Sequence, residues 1–370
     1  MANNFKHITY NVSASTFKER YTLLRDLDGG MSKVYLALDN KYKRKVVLKF
    51  FDPKVSTDPN AIEELIERFA LETEISSQLN HPNTVKVYET GKIGGHAPFI
   101  TMEFVDGYDL DTAIKYVKQT GEFSIPEFLL IFYQICEPIE IAHNKGILNR
   151  DIKTKNVLLG KYGDLKVCDW GIAKHREKEN KIKGNQEGSL LDIDAKVMTL
   201  DGVVMGTARY FTPEQIRGEE IDEKTDIFLL TSILYEGITG HAPYSDKEEA
   251  YLKRMVEDDH SFDTSKLFVP DIADIILTGM AIEKEDRFRT VRHLKREVKT
   301  VLNALSLERY KEQETEKKPT IFAKVFSKPK AVPRTTKENP EQFILSDVIK
   351  KWIKITTEEI KKEKVKKKNS

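Results

Sequence analysis

Two short polar segments in the middle of the chain constrain its fold and chemistry more than any other feature. Asn149–Asn156 reads NRDIKTKN, and thirteen residues after its last Asn comes Asp169–Gly171, which reads DWG. An Asp followed by a Lys and an Asn at this spacing can orient a hydroxyl, steady a phosphate and hold a metal, and the later Asp supplies a second metal ligand. One such loop can arise by chance in a sequence. A loop that is followed by the second segment at this distance rarely does. The pair predicts a phosphoryl-transfer site.

Length, cysteine count, hydropathy and charge limit the class of protein. At 370 residues the chain exceeds one typical domain, so two lobes or one domain with extensions is expected. Its two cysteines, Cys136 and Cys168, cannot form a disulfide framework, and no run approaches the roughly 18 apolar residues that cross a bilayer. These features predict a soluble, cytoplasmic protein. Residues 306–370 carry +8 and the rest of the chain −7, so the two parts can attract each other or the basic part can meet an outside partner.

The first part of the chain has the pattern of a β-sheet with one helix. Five runs rich in β-branched and aromatic residues read as strands: Tyr21–Leu24, Val34–Leu38, Val46–Phe50, Val85–Tyr88 and Phe99–Phe104. Between the third and fourth runs, Asp58 as an N-cap and Pro59 at the first helical position predict the start of a helix.

From Ser124 onward the pattern is helical. Ser124 and Glu127 fit a capping box before a long apolar helix, Phe128–His143, which Pro138 is expected to kink. Further helical patterns are Thr225–Thr239, Lys247–Glu257, Ile272–Ala281 and Val291–Leu305. Residues 306–339, rich in Lys, Glu and Pro, predict a flexible linker. The chain therefore combines a small β-rich half with a larger helical half, which is an α+β fold.

The β-rich half offers the parts of a nucleotide lid and a phosphate-binding lysine. Gly29 and Gly30 would let the backbone approach phosphates without a Cβ clash, and Val34 would cover a base. Alone this signal is weak, because Gly-Gly marks ordinary hairpins more often. Lys49 on a predicted strand needs a carboxylate partner, and Glu72 on the following helix suits that role, although any single Glu there is more often a solvated helix residue.

Four residues of the two polar segments complete the set that phosphoryl transfer needs. Asp151 would accept a hydrogen bond from the attacking hydroxyl, and Lys153 would steady the transferred phosphate. Asn156 and Asp169 would hold Mg²⁺, which keeps waters and needs only one or two protein oxygens. An isolated Asp or Asn in a Lys-rich loop is usually a turn residue. Together with Lys49, five suitable residue types in the right order outweigh that alternative.

The chain from about Tyr21 to Leu305 resembles the Ser/Thr protein kinases of eukaryotic type (Hanks-type), especially those of bacteria. Besides the residues above, the resemblance rests on Leu79–Asn83, Met102–Gly107, Gly206–Gln215, Lys224–Phe228 and Asp286–Phe288. It implies a bilobal protein-kinase-like fold that uses ATP and Mg²⁺ and acts on Ser or Thr hydroxyls of proteins. The implied boundaries are 1–20 for an N-terminal extension, 21–305 for the kinase domain (N-lobe about 21–102, C-lobe about 107–305), 306–339 for the linker and 340–370 for a basic helix or tail.

The resemblance also assigns an adenine-binding segment. Met102 corresponds to the residue at the back of the ATP pocket. Glu103, Phe104 and Val105 correspond to the hinge whose backbone binds adenine. These assignments follow from the resemblance alone.

Further roles in the large lobe follow from the same resemblance. Glu214 and Arg287 would form a buried ion pair. Asp226 would tie the catalytic loop, which is the segment Asn149–Asn156, from its helix. Lys153 and Thr207 resemble the Ser/Thr-specific branch rather than the Tyr branch.

Several positions depart from the family pattern. The lid lacks its first glycine and has Ser32 in place of its third, and Asp28 would weaken ATP binding if it pointed inward. Asn149 replaces the catalytic-loop His, and Trp170 replaces the Phe after the metal Asp. In the family, the side chains at these two positions stack in a column of apolar side chains, the spine, that links the two lobes. A polar Asn would loosen this spine, whereas a larger Trp adds apolar area to it. Cys168 reads as a buried apolar filler at the border of the nucleotide pocket.

Three functions are compatible with these residues. An active Ser/Thr kinase leads, because the residues that this reaction needs are retained, namely Lys49, Glu72, Asp151, Asn156 and Asp169. A nucleotide-binding pseudokinase scaffold is the alternative, favoured by the altered lid and spine. A small-molecule kinase is disfavoured by Gly206–Gln215, which resembles a peptide-docking segment. No nucleic-acid partner is expected.

The activation segment, Asp169–Glu214, spans 46 residues and is expected to be autophosphorylated. Thr199 and Ser189 are the predicted acceptors, because Arg150 beside the catalytic Asp can pair with a phosphate there. Either hydroxyl alone reads equally well as an ordinary loop residue. Self-association of two chains would serve this reaction.

Residues 340–370 predict a basic amphipathic helix. The apolar residues at approximately helical spacing are Phe343, Leu345, Val348, Ile349, Trp352 and Ile353. Packing in cis on the acidic kinase domain is the first expectation and a disordered tail the second. Contact with an anionic membrane surface is the last, because amphipathic stripes more often serve a core.

Overall fold

A β-sheet forms the small lobe of the chain and a set of helices forms most of the large lobe, which confirms the predicted bilobal α+β fold. The computed structural model describes residues 10–27, 32–51, 76, 78–94, 97–170, 174–175, 210–244, 262–316 and 340–369. The predicted lid (Gly29, Gly30), the helix after Asp58 with Glu72, and the predicted helix Lys247–Glu257 lie outside the described residues. Within the described ranges, no helix is long and apolar enough to span a membrane.

Six strands form the small-lobe sheet in the order β1-β5-β6-β4-β3-β2. Their bounds are β1 Tyr10–Val12, β2 Tyr21–Leu27, β3 Ser32–Asp39, β4 Arg44–Phe51, β5 Val87–Ile93 and β6 Ala97–Glu103. Strands β2 to β6 pair antiparallel, and β1 lies parallel to β5. The β3–β4 turn forms because the Asp39 carboxylate accepts hydrogen bonds from the backbone N–H groups of Lys41 and Tyr42, at 3.0 and 3.2 Å. All five predicted strands are present, although the fourth begins two residues later than predicted, at Val87.

Residues 10–20, predicted only as an extension, add a strand and a helix to the small lobe. Helix α1 (Ala14–Arg20) begins after Ser13, whose hydroxyl accepts a hydrogen bond from the backbone N–H three residues on, at 3.1 Å. The helix buries Phe17 against the sheet, with its ring 5.0 Å from the ring of Phe99. Residues 10–20 are therefore part of the small lobe, and Phe17 belongs to its core.

Replacing Phe17 by Ala is expected to lower the free energy of unfolding by about 3 kcal/mol, because the ring fills the space between α1 and the sheet. Urea denaturation followed by fluorescence would measure the change. Lys18→Ala, on the exposed side of the same helix, is the matched control and should change the free energy by less than about 0.5 kcal/mol. Equal unfolding midpoints for the two variants would mean that α1 does not stabilise the small lobe.

The large lobe contains the remaining described elements. Its helices are α2 Leu110–Gln119, α3 Ile125–Asn144, α4 Pro213–Arg217, α5 Glu223–Thr239, α6 Pro270–Gly279, α7 Val291–Glu316 and α8 Pro340–Asn369. Its short strands and 3₁₀ turns are β7 Gly107–Asp109, β8 Ile147–Leu148, Thr154–Asn156, β9 Val157–Gly160, β10 Leu165–Val167, β11 Lys174–His175 and Lys284–Asp286. Apolar residues of α2, α3, α5, α6, α7 and α8 bury one continuous core. Helix α5 lies at its centre, because its residues are apolar or small on almost every side.

Helix α3 differs from its prediction at its first turn. It continues through Pro138, but the capping box is wrong because the Ser124 side chain makes no cap hydrogen bond. The Glu127 carboxylate instead accepts hydrogen bonds from Trp352 Nε1 at 3.1 Å and Lys351 Nζ at 3.0 Å, both on α8. A partner more than 200 residues away in the sequence thus replaces the local one.

Helix α7 extends into the predicted linker. It ends at Glu316, so the prediction of a flexible linker is wrong for residues 306–316. Their Glu, Lys, Arg and Gln residues, which suggested a linker, are also good helix formers. Residues 317–339 lie outside the described part of the chain.

Helix α8 lies on the large lobe of the same chain. Trp352 is fully buried, with its ring 5.8 Å from Phe123 and 6.4 Å from Phe128. Four other residues of the predicted stripe are buried, namely Leu345, Val348, Ile349 and Ile353, and Ile355 is buried beside them. The sequence leaves open packing in cis, a disordered tail and contact with a membrane. In the structure, α8 packs in cis on its own large lobe.

Candidate active site

The strand register places Lys49 on the face of the sheet that meets the large lobe. Lys49 on β4 pairs with Val34 on β3 and with Ile100 on β6, so the three side chains share one face. Phe50, the next residue, lies on the opposite face, which α1 covers. The Lys49 Nζ atom lies 3.5 Å from Asp169 Oδ1 of the large lobe. The predicted lysine and the second predicted metal ligand therefore meet between the lobes.

The predicted hinge leaves the sheet at the end of β6. Met102 and Glu103 are the last residues of that strand, and Phe104 and Val105 follow it. All four are half-buried. The Glu103 carboxylate lies 3.0 Å from Lys166 Nζ on β10, so this ion pair joins the hinge to the large lobe.

The catalytic loop brings its three predicted side chains together. Lys153 Nζ donates hydrogen bonds to both carboxylate oxygens of Asp151, at 2.9 and 2.8 Å. Asn156 Nδ2 donates to the Asp151 backbone oxygen at 2.9 Å and to its Oδ2 at 3.1 Å. The 3₁₀ turn Thr154–Asn156 makes this possible, because it folds the chain back over Asp151.

The environment of Asp151 raises the pKa of its carboxyl group. Burial raises the pKa of this carboxyl, Lys153 and Asn156 lower it, and the nearby Asp169 charge raises it, so that the pKa lies above its ordinary value. A carboxylate with a raised pKa is a stronger hydrogen-bond acceptor for a hydroxyl. The electrostatics therefore suit a group that orients an attacking oxygen.

A short hairpin carries both predicted metal ligands at its open end. Asn156 directly precedes β9, and Asp169 follows β10 with one residue between them. The N–H of that residue, Cys168, donates to the Asn156 carbonyl oxygen at 2.9 Å, which holds the two ends of the hairpin together. Since the Asn156 amide nitrogen is directed at Asp151, its amide oxygen is available as a ligand. An amide oxygen and a carboxylate are hard ligands of the kind that Mg²⁺ takes, so the residues fit this ion.

The backbone around the site is held in an unusual conformation. Arg150 and Asp169 have φ angles of 70° and 59°, in the left-handed region that residues with a Cβ rarely adopt. Asp226 fixes the first of them, because its carboxylate accepts hydrogen bonds from the N–H groups of Asn149 and Arg150, both at 2.8 Å. His143 Nε2 lies 2.8 Å from the same carboxylate. The prediction that Asp226 ties the catalytic loop is confirmed.

The predicted ion pair of the large lobe is also confirmed. Arg287 donates two hydrogen bonds to Glu214, at 2.8 and 2.9 Å, and both side chains are almost completely buried. The Thr225 hydroxyl donates a third bond to Glu214 at 2.7 Å. Because Thr225 precedes Asp226 on α5, the ion pair and the catalytic loop are anchored to one helix.

The positions that depart from the family pattern have identifiable environments. The Asn149 amide oxygen accepts a hydrogen bond from the Asp151 N–H at 3.1 Å, while its buried amide nitrogen has no hydrogen-bond partner among the described residues. Trp170 belongs to the large-lobe core. Cys168 is half-buried rather than fully buried, and its thiol donates a hydrogen bond to the Asn156 carbonyl oxygen at 3.3 Å. Desolvation raises the pKa of this thiol to about 12, so the thiol stays protonated.

One polar cluster beside the catalytic loop was not foreseen. The Tyr210 hydroxyl donates to Glu236 Oε2 at 2.9 Å and lies 3.2 Å from the Thr154 hydroxyl. Gln215 Nε2 donates to the Arg150 carbonyl oxygen at 3.3 Å. Tyr210 and Gln215 belong to a segment that the sequence singles out, but their partners lie on distant elements.

Known proteins are similar in sequence to most of this chain. Residues 23–313 match the family model of the protein kinase domain. The serine/threonine-protein kinase PknD of Chlamydia caviae is 33% identical over 298 residues, which are 76% of this chain and 31% of that protein. PknD of Chlamydia trachomatis serovar D is 34% identical over 301 residues, which are 77% of this chain and 32% of that protein. The chain thus spans about a third of the length of these relatives. A family match that covers most of the chain, on top of the catalytic-loop geometry, shows that the chain belongs to the protein kinase family.

Proposed function

We propose that this chain is an active kinase that transfers the γ-phosphoryl group of ATP to Ser or Thr hydroxyls of proteins. The observation that carries the proposal is the meeting of Lys49, Asp151, Lys153, Asn156 and Asp169 between the two lobes. Phosphoryl transfer asks a protein mainly to position the reactants and to neutralise charge, and these five side chains supply both. The names of the Chlamydia relatives support the same activity.

Each residue has one role in the proposed reaction. Asp151 accepts a hydrogen bond from the substrate hydroxyl and so directs its oxygen at the γ-phosphorus, while Lys153 stabilises the charge on the transferred group. Lys49 binds the phosphates closer to the nucleoside, and Asn156 and Asp169 hold Mg²⁺. When bound, Mg²⁺ neutralises the phosphate oxygens on which charge develops.

A nucleotide-binding pseudokinase that acts as a scaffold is the alternative. The polar Asn149 in the spine favours it, because its buried amide nitrogen lacks a hydrogen-bond partner within the described ranges. Asp28 in the lid also favours the pseudokinase, but Asp28 lies outside the described residues. The retention of all five residues of the set argues against it, since a scaffold does not need the hydroxyl-orienting Asp151.

Incubation of the purified chain with radiolabelled ATP, Mg²⁺ and a generic protein substrate tests the proposal. We expect label on the substrate, and phosphoamino-acid analysis should recover it as phosphoserine or phosphothreonine. A chain that binds Mg²⁺·ATP but transfers no label would be the scaffold instead. Label found only on Tyr would contradict the Ser/Thr assignment.

Autophosphorylation of the activation segment is expected under the same conditions. Thr199 and Ser189 are the predicted acceptors, and both lie outside the described residues. Arg150, next to the hydroxyl-orienting Asp151, would form charge-assisted hydrogen bonds with the phosphate. Mass spectrometry after incubation with ATP should find phosphate between residues 177 and 207, and an Asp151→Asn chain should carry none. A segment without phosphate in the active chain would refute this expectation.

We also propose a cytoplasmic location and protein substrates with Ser or Thr acceptors. Cys136 and Cys168 are free thiols, as in a reducing compartment. Self-association would allow one chain to phosphorylate the activation segment of another. Contact with a membrane surface is not favoured, because the apolar stripe of α8 is buried on the large lobe.

A further inference from the structure

Helix α8 contacts the elements that join the predicted hinge to the predicted metal ligands. The second sheet of the chain has the strand order β10-β9-β7. Strand β7 begins two residues after Val105 of the hinge, β9 begins directly after Asn156, and β10 ends two residues before Asp169. Helix α8 packs against β9 and against the two helices, α2 and α3, that follow β7. The sheet therefore links both parts of the nucleotide site, and α8 lies along it.

The first contact is at the turn of the β9–β10 hairpin. The Ser346 hydroxyl on α8 donates a hydrogen bond to the Tyr162 carbonyl oxygen at 3.3 Å. Gly163 has a φ of 89°, and a Cβ atom there would overlap Ser346. Because the hairpin strands are only three and four residues long, a shift of this turn would carry Asn156 and Asp169 with it.

The second contact is at the residues that leave the hinge. The Tyr108 hydroxyl on β7 lies 3.2 Å from the Thr357 hydroxyl on α8. Tyr108 pairs with Leu159 on β9, so the segment leaving the hinge and the metal-ligand hairpin share one set of backbone hydrogen bonds. Helix α8 thus touches this sheet at two separate points.

The helix is anchored in place by its centre and its last turns. Trp352 is completely buried, and its Nε1 donates to Glu127 on α3. Near the end of α8, Glu363 accepts a hydrogen bond from the Tyr116 hydroxyl on α2 at 2.9 Å. Burial of the Trp352 ring contributes free energy that stabilises the docking of α8 on the large lobe.

We infer that α8 is part of the catalytic unit: by docking on the β10-β9-β7 sheet it positions the metal ligands and the hinge, and so strengthens the binding of Mg²⁺·ATP. The inference rests on the proposed function, since it concerns the nucleotide that this function uses. Ser346 and Thr357 are positioning residues, because they act through Tyr162 and Tyr108 and touch no reacting atom.

Steady-state kinetics of the full chain test the inference with two variants and a control. One variant, Ser346→Ala with Thr357→Val, removes both hydrogen bonds to the sheet and little packing. The other, Trp352→Ala, weakens the docking of the whole helix. Lys354→Ala, on the exposed side of α8, is the matched control. We expect a KM for ATP about three- to tenfold higher in the double variant, because the two lost hydrogen bonds no longer hold the hinge and the hairpin in position, with kcat and the KM for protein substrate near wild type.

A second readout separates positioning from a general loss of structure. The Kd for Mg²⁺·ATP should rise by the same factor as KM, at a temperature where circular dichroism shows each chain fully folded. Wild-type KM and Kd in the folded Ser346→Ala/Thr357→Val chain would overturn the inference, and this variant decides the matter if Trp352→Ala does not fold. A fall in kcat alone would also overturn it. If the wild-type chain binds no Mg²⁺·ATP, the proposed function fails and the inference fails with it.

Discussion

An Asp151→Asn chain is expected to transfer phosphate about a thousandfold more slowly than the wild-type chain, because the amide no longer has the negative charge that orients the substrate hydroxyl. The substitution keeps the shape of the side chain and one oxygen that can accept the Lys153 hydrogen bond. Its effect on stability should be small. The pKa of Asp151 is raised because burial outweighs the favourable contacts with Lys153 and Asn156, so a neutral amide at this position should cost little net stability.

Initial rates with radiolabelled ATP at saturating Mg²⁺ would measure this change. Asp274→Asn makes the same chemical change on the exposed side of α6 and should leave the rate within about twofold of wild type. Thermal unfolding of the three chains should coincide within a few degrees. An Asp151→Asn chain that keeps more than a tenth of the wild-type rate would remove Asp151 from the proposed role.

The catalytic loop could be predicted from the sequence because its interactions are local. Asp151, Lys153 and Asn156 lie within six residues, and one 3₁₀ turn is enough to bring them together. Asp169 joins them through a single hairpin whose strands are adjacent in the sequence. The two lobes could also be predicted, because the strand pattern of the first part of the chain and the helical pattern of the second part are set by residues that are close in the sequence.

Two features were mispredicted or missed because a distant segment supplies the partner. Glu127 stands three residues after Ser124 and fits a capping box, yet Lys351 and Trp352 bind its carboxylate. Nothing within the first turn of α3 distinguishes these two outcomes. The same limit applies to Phe17, since its partners on β4 and β6 lie 30 or more residues along the chain.

The amphipathic stripe of α8 shows what sequence periodicity can predict about a helix and what it cannot. Apolar residues at helical spacing establish that one face is to be buried, but a protein core and a lipid surface satisfy that requirement equally. What selects the protein core here is a specific complement: Phe123 and Phe128 against the Trp352 ring, and Glu127 for its N–H. That complement is visible only once the large lobe is folded.

An Arg287→Met chain is expected to lose about 3–5 kcal/mol of unfolding free energy, because it leaves the Glu214 carboxylate buried without its cation. Thr225 would still donate one hydrogen bond, which cannot replace two charge-assisted ones. Arg292→Met is the matched control. Its partner Glu140 is also a carboxylate, but Arg292 is 77% exposed, so its loss should cost less than about 1 kcal/mol.

The dependence of this loss on pH distinguishes a missing charge from missing packing. Burial raises the pKa of Glu214, but Arg287 and Thr225 outweigh it, so the pKa lies below its ordinary value of 4.5. In the wild-type chain this group therefore stabilises the fold fully above pH 4.5 and loses its contribution as the pH falls through the lowered pKa. Without Arg287, burial outweighs the remaining Thr225 hydrogen bond and the pKa of Glu214 rises, so that acid restores part of the variant's stability by neutralising the carboxylate. Urea denaturation at pH 7 and near pH 4.5 should therefore show a smaller difference between the two chains at the lower pH. A difference that does not change with pH would mean that the guanidinium stabilises the large lobe through its packing and its bonds to backbone carbonyls rather than through Glu214.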